Sequence, residues 1–428
     1  MTKRPNVVLV FSDQQRMDSI GAYGNRFVAT PELDAMAANG MRFTHAFTPW
    51  PVCTPARATM WTGAYPHAHG LIDNVYGVAN AFDGPAARLR TTVFDRLKDA
   101  GYLTAHFGKW HLGEEQPAFF DVWEECFNSR LGHWVDGKRD GVYRPDRQTD
   151  ASLAFLRRQA ARDQPFVMVQ SYYPPHDPYT APRRFYEHYR DRGVPFAGYY
   201  AAVTALDGCL GRIRATLRET GLDRDTVLVY YSDHGDTFWY RREGEHKFVC
   251  HDDAIRIPFI AEGPGIAPGS VCRLPVGLQD LAPTMVDLAG AAPMAPQHGR
   301  SLAPLLRGES PPWRDDYYVQ NITHVSKIEQ RCVRTDAWKL IAGADGRHEL
   351  YDLRDDPEEE LDLFLTPRPD GAFRRYEHFP DFAREIEALA ARMRSTAAGM
   401  GDTRGVEIAD GVNAAIAGRL AALAGAGG

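Results

Sequence analysis

The amino-acid sequence predicts an α/β protein with a large mixed, mostly parallel sheet flanked by helices, and a smaller C-terminal α+β domain that carries an antiparallel sheet. Two observations support this prediction. Through the first three hundred residues, short apolar runs that end in polar residues alternate with helical patterns. Beyond residue 310 the chain changes to short strand-like segments separated by turns. We therefore expect two domains, one formed by residues 1–310 and one by residues 311–428.

The apolar runs are typical of strands that are buried on both faces of a sheet. They cover Pro5 to Asp13, Phe166 to Ser171 and Thr226 to Ser232. Helical patterns occupy Arg90 to Ala100 and Tyr199 to Thr220. Ligands of such sheets bind beyond the carboxyl ends of the strands. The polar side chains at the ends of the first and third runs are therefore candidate site residues, namely Asp13, Gln14, Asp233 and His234.

The segments after the pair Pro311 and Pro312 predict a small antiparallel sheet. Its strands are expected at Tyr317 to Gln320, Arg331 to Val333, Trp338 to Ile341 and Glu349 to Leu353. The segment from Ala383 to Ala397 is helical by composition. The last two dozen residues are rich in Ala and Gly and have no strong helix cap, so we expect the extreme C-terminus to be loosely ordered.

The composition argues against several classes of protein. With 44% hydrophobic and 25% charged residues, the 428-residue chain is an ordinary globular one. A net charge of −7 argues against a broad nucleic-acid-binding surface, although it allows a local anion pocket. No apolar stretch has the length of a membrane span, and Val7 to Phe11 is too short for a signal peptide, so we expect a cytoplasmic protein. The six cysteines have no repeated spacing, unlike a disulfide framework.

The neighbourhood of Cys53 indicates chemistry. Thr54 suits a helix cap and Pro55 suits a first helical turn, while Gly63 is a plausible helix end. Cys53 is then expected at a helix N-terminus, where backbone N–H groups and the helix dipole favour an anion. Arg57 adds a forked cationic donor on the next turn. For a lone cysteine, however, a structural role ahead of an ordinary helix is the commoner one.

The run Cys53-Thr54-Pro55-Ala56-Arg57 matches the Cys-x-Pro-x-Arg signature of the sulfatase family, which the enzyme that makes formylglycine recognises. The chain resembles this family over nearly its whole length, and the order and spacing of several short motifs make the resemblance specific. The other matching segments are Thr62 to His67, Gly108 to Gly113, Pro174 to Tyr179, Ser232 to Gly235, Lys247 with Ile255 to Pro258, Val333 to Ile341 and Glu349 to Leu353. The resemblance implies an alkaline phosphatase-like fold and a sulfuric ester hydrolase.

The resemblance also implies that Cys53 is oxidised to a formylglycine, whose hydrate has two hydroxyl groups on one carbon. One hydroxyl attacks sulfur, and the other lets the sulfated intermediate collapse by expelling sulfate. The attack spreads negative charge over the transferred group and the leaving oxygen, so positive groups must already be in place. The expected positive groups are a divalent ion, Arg57, Lys109 and Lys247.

A metal site is expected at the strand ends. Asp13, Gln14, Asp233 and His234 offer carboxylate, amide and imidazole groups that suit a hard divalent cation, provided that the strands they follow are neighbours. The hydrate at position 53 would add a further oxygen. Because sulfatases usually hold calcium, we expect calcium, with manganese and magnesium as alternatives since His234 brings a nitrogen. Family members often have an Asp in place of Gln14 and an Asn in place of His234.

The resemblance implies roles for four further side chains. Lys109 and His111 are expected beside the formylglycine, with His111 removing a proton from its second hydroxyl. His176 and Lys247 are expected at the leaving-group oxygen, where one of them donates a proton, and the sequence leaves open which one.

Two more side chains, Asn74 and His251, are candidate substrate contacts. The histidines without such support are expected to be structural, namely His67, His69, His106 and His246. The expected partners are a small-molecule sulfate ester and the formylglycine-generating enzyme, with no nucleic acid and no membrane. A homo-oligomer is compatible with the sequence.

Two other functions remain open. Phosphonate monoester and phosphodiester hydrolases resemble sulfatases, use the same modified cysteine and often have Asp-Gln and Asp-His metal pairs like those here. Against them, the run Lys109-Trp110-His111 is similar to the sulfatase version of the pocket. In a non-catalytic anion-binding relative Cys53 would stay a thiol, and the presence of every expected polar residue argues against that function.

Overall fold

The computed structural model describes residues 4–129, 131–138, 141–239, 246–295, 297–367, 373–375 and 379–426. The chain divides into two compact units. Unit 1 consists of Met1–Thr48, Val52–Asp236 and Arg256–Pro312, and unit 2 of Pro49–Pro51, Thr237–Ile255 and Trp313–Gly428. The segment Thr237–Ile255, which the sequence placed in the first domain, therefore groups with the C-terminal unit, because Lys339 and Arg334 of that unit form ion pairs with Asp252.

The strands are β1 (Asn6–Asp13), β2 (Met41–Phe43), β3 (Ala46–Phe47), β4 (Leu103–Lys109), β5 (Val122–Phe127), β6 (Phe166–Pro175), β7 (Thr226–Ser232), β8 (Phe259–Glu262), β9 (Ser270–Cys272), β10 (Val276–Gly277), β11 (Tyr317–Ile322), β12 (Glu329–Arg334), β13 (Trp338–Gly343), β14 (His348–Asp352), β15 (Leu365–Pro367) and β16 (Phe373–Arg375). The α-helices are α1 (Pro31–Asn39), α2 (Cys53–Thr62), α3 (Pro66–His69), α4 (Val93–Asp99), α5 (Arg144–Gln159), α6 (Arg183–Arg190), α7 (Ala197–Thr220), α8 (Asp252–Ile255), α9 (Leu281–Ala289), α10 (Ala303–Leu306), α11 (Ala383–Met400) and α12 (Thr403–Ala426). None of the helices in the described ranges has both the length and the apolar character of a membrane span.

The main sheet lies in unit 1. Among the described residues its strand order is β5-β4-β6-β1-β7-β8-β2-β9. The five strands from β5 to β7 in this order are mutually parallel, β8 is antiparallel to both β7 and β2, and β9 is parallel to β2. The prediction of a large mixed, mostly parallel sheet is therefore confirmed.

Helices cover both faces of this sheet, which explains why the β1 run is apolar throughout. Val8 of β1 belongs to a buried cluster that also contains Leu156 of α5 and Leu206 of α7. Phe11 points to the opposite face because successive strand residues alternate. Its ring meets that of Trp61 in α2 at a centroid distance of 6.2 Å. Strand β1 is thus buried along its whole length, and its carboxyl end is held between helices of both layers.

Unit 2 contains an antiparallel sheet in the order β11-β12-β13-β14, against which α11 and α12 pack. The prediction of a loosely ordered C-terminus is wrong for the described residues, since Thr403–Ala426 form helix α12. Asp402 supplies the helix cap that the sequence analysis missed, because its Oδ1 accepts the N–H of Gly405 at 3.1 Å. Arg331 of β12 donates to both oxygens of the same carboxylate, at 2.7 and 3.1 Å. One face of the helix is apolar and buried through Ile408, Val412 and Ile416.

Candidate active site

Three of the predicted site residues lie at one edge of the main sheet. Asp13 is the last residue of β1, and Asp233 and His234 directly follow β7. The two strands are parallel neighbours, with Ser12 opposite Ser232. Side chains at the carboxyl ends of adjacent parallel strands emerge at the same edge, so these polar groups are brought together by the sheet itself.

Cys53 is the first residue of α2. Gly63 ends this helix in the left-handed conformation, with φ 69°. The prediction that Thr54 caps this helix is wrong, because the N-cap position is occupied by Val52, two residues earlier. Val52 has an extended backbone and makes no side-chain capping hydrogen bond. Cys53 is therefore placed inside the first turn, where the helix dipole favours negative charge.

Thr54 and Asn74 hold this first turn in place. The Thr54 hydroxyl donates to the carbonyl oxygen of His111 at 2.7 Å. The backbone N–H of Thr54 donates to Asn74 Oδ1 at 3.1 Å. Asn74, predicted as a substrate contact, thus supplies the acceptor that the helix N-terminus needs.

Four buried ligand groups converge around Cys53. One ligand atom from each of Asp13, Cys53, Asp233 and His234 lies within 4.8 Å of the others. Cys53 Sγ is 3.3 Å from His234 Nε2 and 3.6 Å from Asp13 Oδ1. His234 Nε2 is 3.7 Å from Asp233 Oδ1. In a formylglycine hydrate the two hydroxyl oxygens would be bonded to Cβ of residue 53, one of them near the position of this sulfur.

The tautomer of His234 suits a metal ligand. Its Nδ1 lies 2.9 Å from the carbonyl oxygen of Gly235, which can only accept a hydrogen bond. Nδ1 therefore carries the proton in neutral imidazole, and the lone pair is on Nε2, the atom that faces Asp13 and Cys53.

The charges of the two carboxylates also fit a divalent cation. Burial by itself raises the pKa of Asp13, but Lys109, His176 and Arg57 hold it well below its ordinary value. Burial and the neighbouring Asp13 carboxylate raise the pKa of Asp233. Asp13 therefore stays ionised, as a carboxylate ligand of a cation must be.

Arg57 and Lys109 surround the carboxylates with positive charge. Arg57 donates through Nη2 to Asp13 at 2.9 Å, and through Nε to Asp233 at 3.1 Å. Its Nη1 donates to the Lys109 carbonyl oxygen at 2.6 Å and to the hydroxyl of Ser171 at 2.9 Å. Lys109 Nζ lies 2.5 Å from Asp13 Oδ2. Both cations are buried, and Arg57 uses its forked donors on the protein rather than presenting them to solvent.

Lys109 also faces residue 53 and an aromatic ring. Its Nζ is 3.6 Å from Cys53 Sγ and 4.6 Å from the centroid of the Tyr173 ring. The ring face is an additional source of negative potential for a desolvated ammonium group. Lys109 is therefore held beside the expected nucleophile by both Asp13 and Tyr173.

Gln14 adopts a backbone conformation that is rare for a residue with a side chain, with φ 66°. Its backbone N–H donates to Asp233 Oδ1 at 3.1 Å, and its Nε2 donates to Asp236 Oδ2 at 2.7 Å. The hydroxyl of Tyr179 donates to the same oxygen of Asp236 at 2.6 Å. Because a carboxylate only accepts, Asp236 fixes which end of the Gln14 amide is the NH₂ group and which is the oxygen.

His111 is almost fully buried beside Cys53 and also has positive φ, at 56°. Burial and the nearby Lys109 ammonium lower the pKa of His111 to about 4, so the ring is neutral near pH 7. Within the described part of the chain, neither ring nitrogen has a nitrogen or oxygen hydrogen-bond partner. The Tyr76 ring lies 5.6 Å from the His111 ring, between centroids.

His176 follows β6 and is held by its neighbours in the sequence. Its Nδ1 lies 2.9 Å from both the carbonyl oxygen and a carboxylate oxygen of Asp177. Nδ1 is therefore the protonated nitrogen of the neutral ring. Nε2 points the other way and lies 4.0 Å from Asp13 Oδ1.

Lys247 and His251 belong to unit 2, and both are buried. His251 Nε2 is 3.1 Å from the Tyr351 hydroxyl and 3.2 Å from Glu349 Oε2. The neighbouring Asp252 lies 2.5 Å from Lys339 Nζ. The segment that carries Lys247 and His251 is thus attached to the antiparallel sheet, and the predicted roles of both residues stay predictions.

The four histidines predicted to be structural make hydrogen bonds or ring contacts with neighbouring side chains. His69 Nδ1 accepts the N–H of Leu71 at 3.1 Å and its Nε2 lies 3.1 Å from the Thr59 hydroxyl. Burial lowers the pKa of His69 to about 3. The others lie against aromatic or sulfur-containing side chains, His67 beside His298, His106 beside Trp110 and Cys126, and His246 beside Trp239.

Five side chains described at this site were not predicted, namely those of Tyr76, Ser171, Tyr173, Tyr179 and Asp236. Ser171 was the last residue of a predicted strand, and its position at the sheet edge was the available signal. Asp236 ends the polar run after the third apolar strand, and a carboxylate there could have been included with Asp233. Nothing in the sequence around Tyr76 indicated that it would lie next to His111.

Comparisons with known proteins agree with these observations. The sequence profile described as "Sulfatase" matches residues 5–291, and the one described as "N-sulphoglucosamine sulphohydrolase, C-terminal" matches residues 239–372. The chain is 30% identical to the uncharacterized sulfatase YidJ of Escherichia coli (strain K12), over 84% of this chain and 83% of that protein. It is 28% identical to an ulvan-active sulfatase of Formosa agariphila, over 85% of this chain and 78% of that protein.

Solved structures share the fold. A protein determined in complex with its substrate D-glucosamine-2-N,6-O-disulfate has a TM-score of 0.79 at 22% identity, over 95% of this chain and 100% of that one. The phosphonate monoester hydrolase of Agrobacterium radiobacter has a TM-score of 0.70 at 22% identity, over 91% and 96% of the two chains. At these identities the likeness concerns the fold alone.

Proposed function

The chain belongs to the sulfatase family and is a sulfuric ester hydrolase, and from this premise we propose that the buried groups around Cys53 are its catalytic centre. The observation that carries this proposal is the set of ligand atoms from Asp13, Cys53, Asp233 and His234 within 4.8 Å of one another. In this family the cysteine is converted to formylglycine, whose hydrate supplies one hydroxyl to accept the sulfuryl group and a second to expel sulfate.

Asp13, Asp233 and His234, with the amide oxygen of Gln14, would hold a divalent cation. The ion would supply charge stabilisation for the transferred group and would favour the ionised form of the attacking hydroxyl. Three of the four side chains are oxygen donors, which hard cations prefer, so calcium is the metal that we propose. The nitrogen of His234 makes manganese the first alternative, followed by magnesium.

Arg57 and Lys109 have different tasks in this proposal. Arg57 spans Asp13 and Asp233, so it fixes the spacing of the two carboxylates. Lys109 faces Cys53 as well as Asp13, so it is the protein cation beside the nucleophile. A buried, fixed positive charge stabilises negative charge that develops in the transition state without reorganising first.

His111 is the proton acceptor in this proposal. Its neutral state at pH 7 and its hydrogen bond with the side chain of Cys53 support that role. A group with these properties can remove the proton from the second hydroxyl of residue 53 when sulfate leaves.

His176 is the proton donor to the leaving-group oxygen in this proposal, with Lys247 as its cationic partner. Asp177 holds Nδ1 of His176, and Nε2 faces Asp13 in the proposed catalytic centre. An imidazolium can then donate from Nε2 and be reprotonated from solvent. Asn74 would donate to substrate through its NH₂ group, because its Oδ1 is used by Thr54. A substrate contact by His251 stays a prediction.

The formylglycine-generating enzyme is the proposed partner, and sulfated carbohydrates are the substrates to test first. The ulvan-active sulfatase and the protein solved with D-glucosamine-2-N,6-O-disulfate support that choice of substrate. A cytoplasmic location and a homo-oligomer stay predictions.

A phosphonate monoester or phosphodiester hydrolase is the second candidate function. The Asp-Gln and Asp-His metal pairs favour it. The Lys109-Trp110-His111 run favours a sulfate ester instead.

The test is a direct comparison of turnover. Protein produced with a formylglycine-generating enzyme, and checked by peptide mass spectrometry for conversion of Cys53, is assayed with 4-nitrophenyl sulfate and with a 4-nitrophenyl phosphonate ester. We expect a higher kcat/KM for the sulfate, and loss of turnover in the Cys53→Ala variant. A higher kcat/KM for the phosphonate would reverse the assignment.

A further inference from the structure

The loop between α3 and the 3₁₀ helix at Ala81–Asp83 presents two large apolar side chains to solvent. Within residues 71–78 of this loop, the side chain of Ile72 is 46% exposed and that of Tyr76 is 54% exposed. The Tyr76 ring lies 5.6 Å from the ring of His111, which is itself only 3% exposed. Tyr76 therefore extends from solvent to a side chain of the proposed catalytic centre.

The backbone on both sides of Tyr76 is held in place. The N–H of Val75 donates to the Thr54 hydroxyl at 3.3 Å, next to the nucleophile position on α2. The N–H of Gly77 donates to Glu114 Oε1 at 3.4 Å. Gly77 has φ 65°, which turns the chain directly after Tyr76 and which a residue with a side chain rarely adopts. The exposed ring is thus presented by a fixed backbone, so little conformational entropy is lost when a ligand covers it.

We propose that Tyr76 is a specificity-determining residue, on which a cyclic leaving group stacks while its sulfate lies at residue 53. This inference rests on the proposed function and adds the class of alcohol that carries the sulfate. Pyranose and aryl rings share a flat apolar face that fits an aromatic side chain, whereas a short acyclic alcohol has no such face.

The test compares four proteins on three sulfate esters. The proteins are the wild type and the Tyr76→Ala, Tyr76→Phe and Ile72→Ala variants, each with residue 53 converted. The substrates are 4-nitrophenyl sulfate, glucose 6-sulfate and ethyl sulfate. We expect Tyr76→Ala to raise KM about ten-fold for a cyclic ester and to leave ethyl sulfate unchanged. Tyr76→Phe keeps the ring and should have the KM of the wild type. Ile72→Ala removes another exposed apolar side chain of the same loop and should behave as the wild type with all three esters.

The cyclic ester with the larger response identifies the leaving group as a sugar or an aryl ring. An equal loss of kcat with all three esters would mean that Tyr76 only supports His111, and would overturn the proposal. Unchanged kinetics in Tyr76→Ala would overturn it too. A wild type that hydrolyses no sulfate ester would instead contradict the proposed function, and the inference with it. Melting temperatures of the variants check that the exposed substitutions leave the fold intact.

Discussion

Arg57 and Asp13 form an ion pair that solvent scarcely reaches, with Nη2 2.9 Å from Oδ2 and side chains 1% and 0% exposed. The same guanidinium binds Asp233, at 3.1 Å. Because these two carboxylates lie at the ends of different strands, Arg57 joins the ends of β1 and β7.

Replacement of Arg57 by Ala is expected to lower the free energy of unfolding by about 3–5 kcal/mol, because two buried carboxylates lose their common partner. Urea denaturation of the metal-free protein measures this change. The matched control is Arg183→Ala, which removes an exposed pair with Glu187 on α6 and should cost less than about 1 kcal/mol. Similar small losses in both variants would contradict the structural role of Arg57.

Metal binding should be visible without any turnover. Calcium added to chelator-treated protein at 100 times its Kd is expected to stabilise the fold by about 2.7 kcal/mol. The Asp233→Asn variant should lose most of this stabilisation, whereas Asp99→Asn, which changes an exposed carboxylate, should keep it. Thermal unfolding with calcium, manganese and magnesium measures the effect and ranks the ions. Equal stabilisation of both variants would place the ion elsewhere.

The proton donor can be identified from leaving groups of different basicity. If His176 is the acid, His176→Ala should lower kcat for alkyl sulfates much more than for 4-nitrophenyl sulfate, because 4-nitrophenolate leaves without being protonated. The expected loss for a poor leaving group is about 10²–10⁴-fold in kcat. Lys247→Ala should then lower kcat by a similar factor for every ester. The reverse pattern would assign the acid to Lys247.

The stability of the fold should depend on pH through His69. Its pKa is about 3 in the folded chain, below the ordinary value of 6.5, so the unfolded chain binds more protons between these values. Stability is therefore fully present above pH 6.5 and is lost as pH falls towards 3, by up to about 1.4 kcal/mol per pH unit. Comparison of unfolding free energies at pH 6.5 and pH 4.5 for the wild type and His69→Gln isolates this contribution. The variant should have the shallower slope, and identical slopes would contradict the assignment.

The main sheet and the metal-facing edge followed from local patterns. A strand buried on both faces has a wholly apolar run, so β7 was predicted with its observed bounds, Thr226–Ser232. Polar residues at the ends of such runs are placed by the parallel pairing, which is why Asp13 and Asp233 were predicted together. The strand prediction needed only information within a few residues, whereas the meeting of Asp13 and Asp233 also required β1 and β7 to be neighbours, which that prediction assumed.

What the sequence analysis missed depends on contacts between distant segments. Asp402 caps α12 and is held by Arg331, and a sequence pattern does not indicate that partnership. The same is true of the hydrogen bond from Gln14 to Asp236 and of the ring contact between Tyr76 and His111. Side-chain partners of this kind are set by tertiary packing, so they require coordinates.

Burial of α2 restricts when Cys53 can be modified during folding. Every residue from Cys53 to Thr62 is buried, so a modifying enzyme cannot reach the thiol or the flanking Pro55 and Arg57 once the helix has packed. If Cys53 is oxidised by the proposed partner enzyme, that oxidation therefore has to take place on the nascent or unfolded polypeptide. A chain that folds first is trapped as an intact but inert protein, and its fraction in a preparation records how folding and modification competed during synthesis.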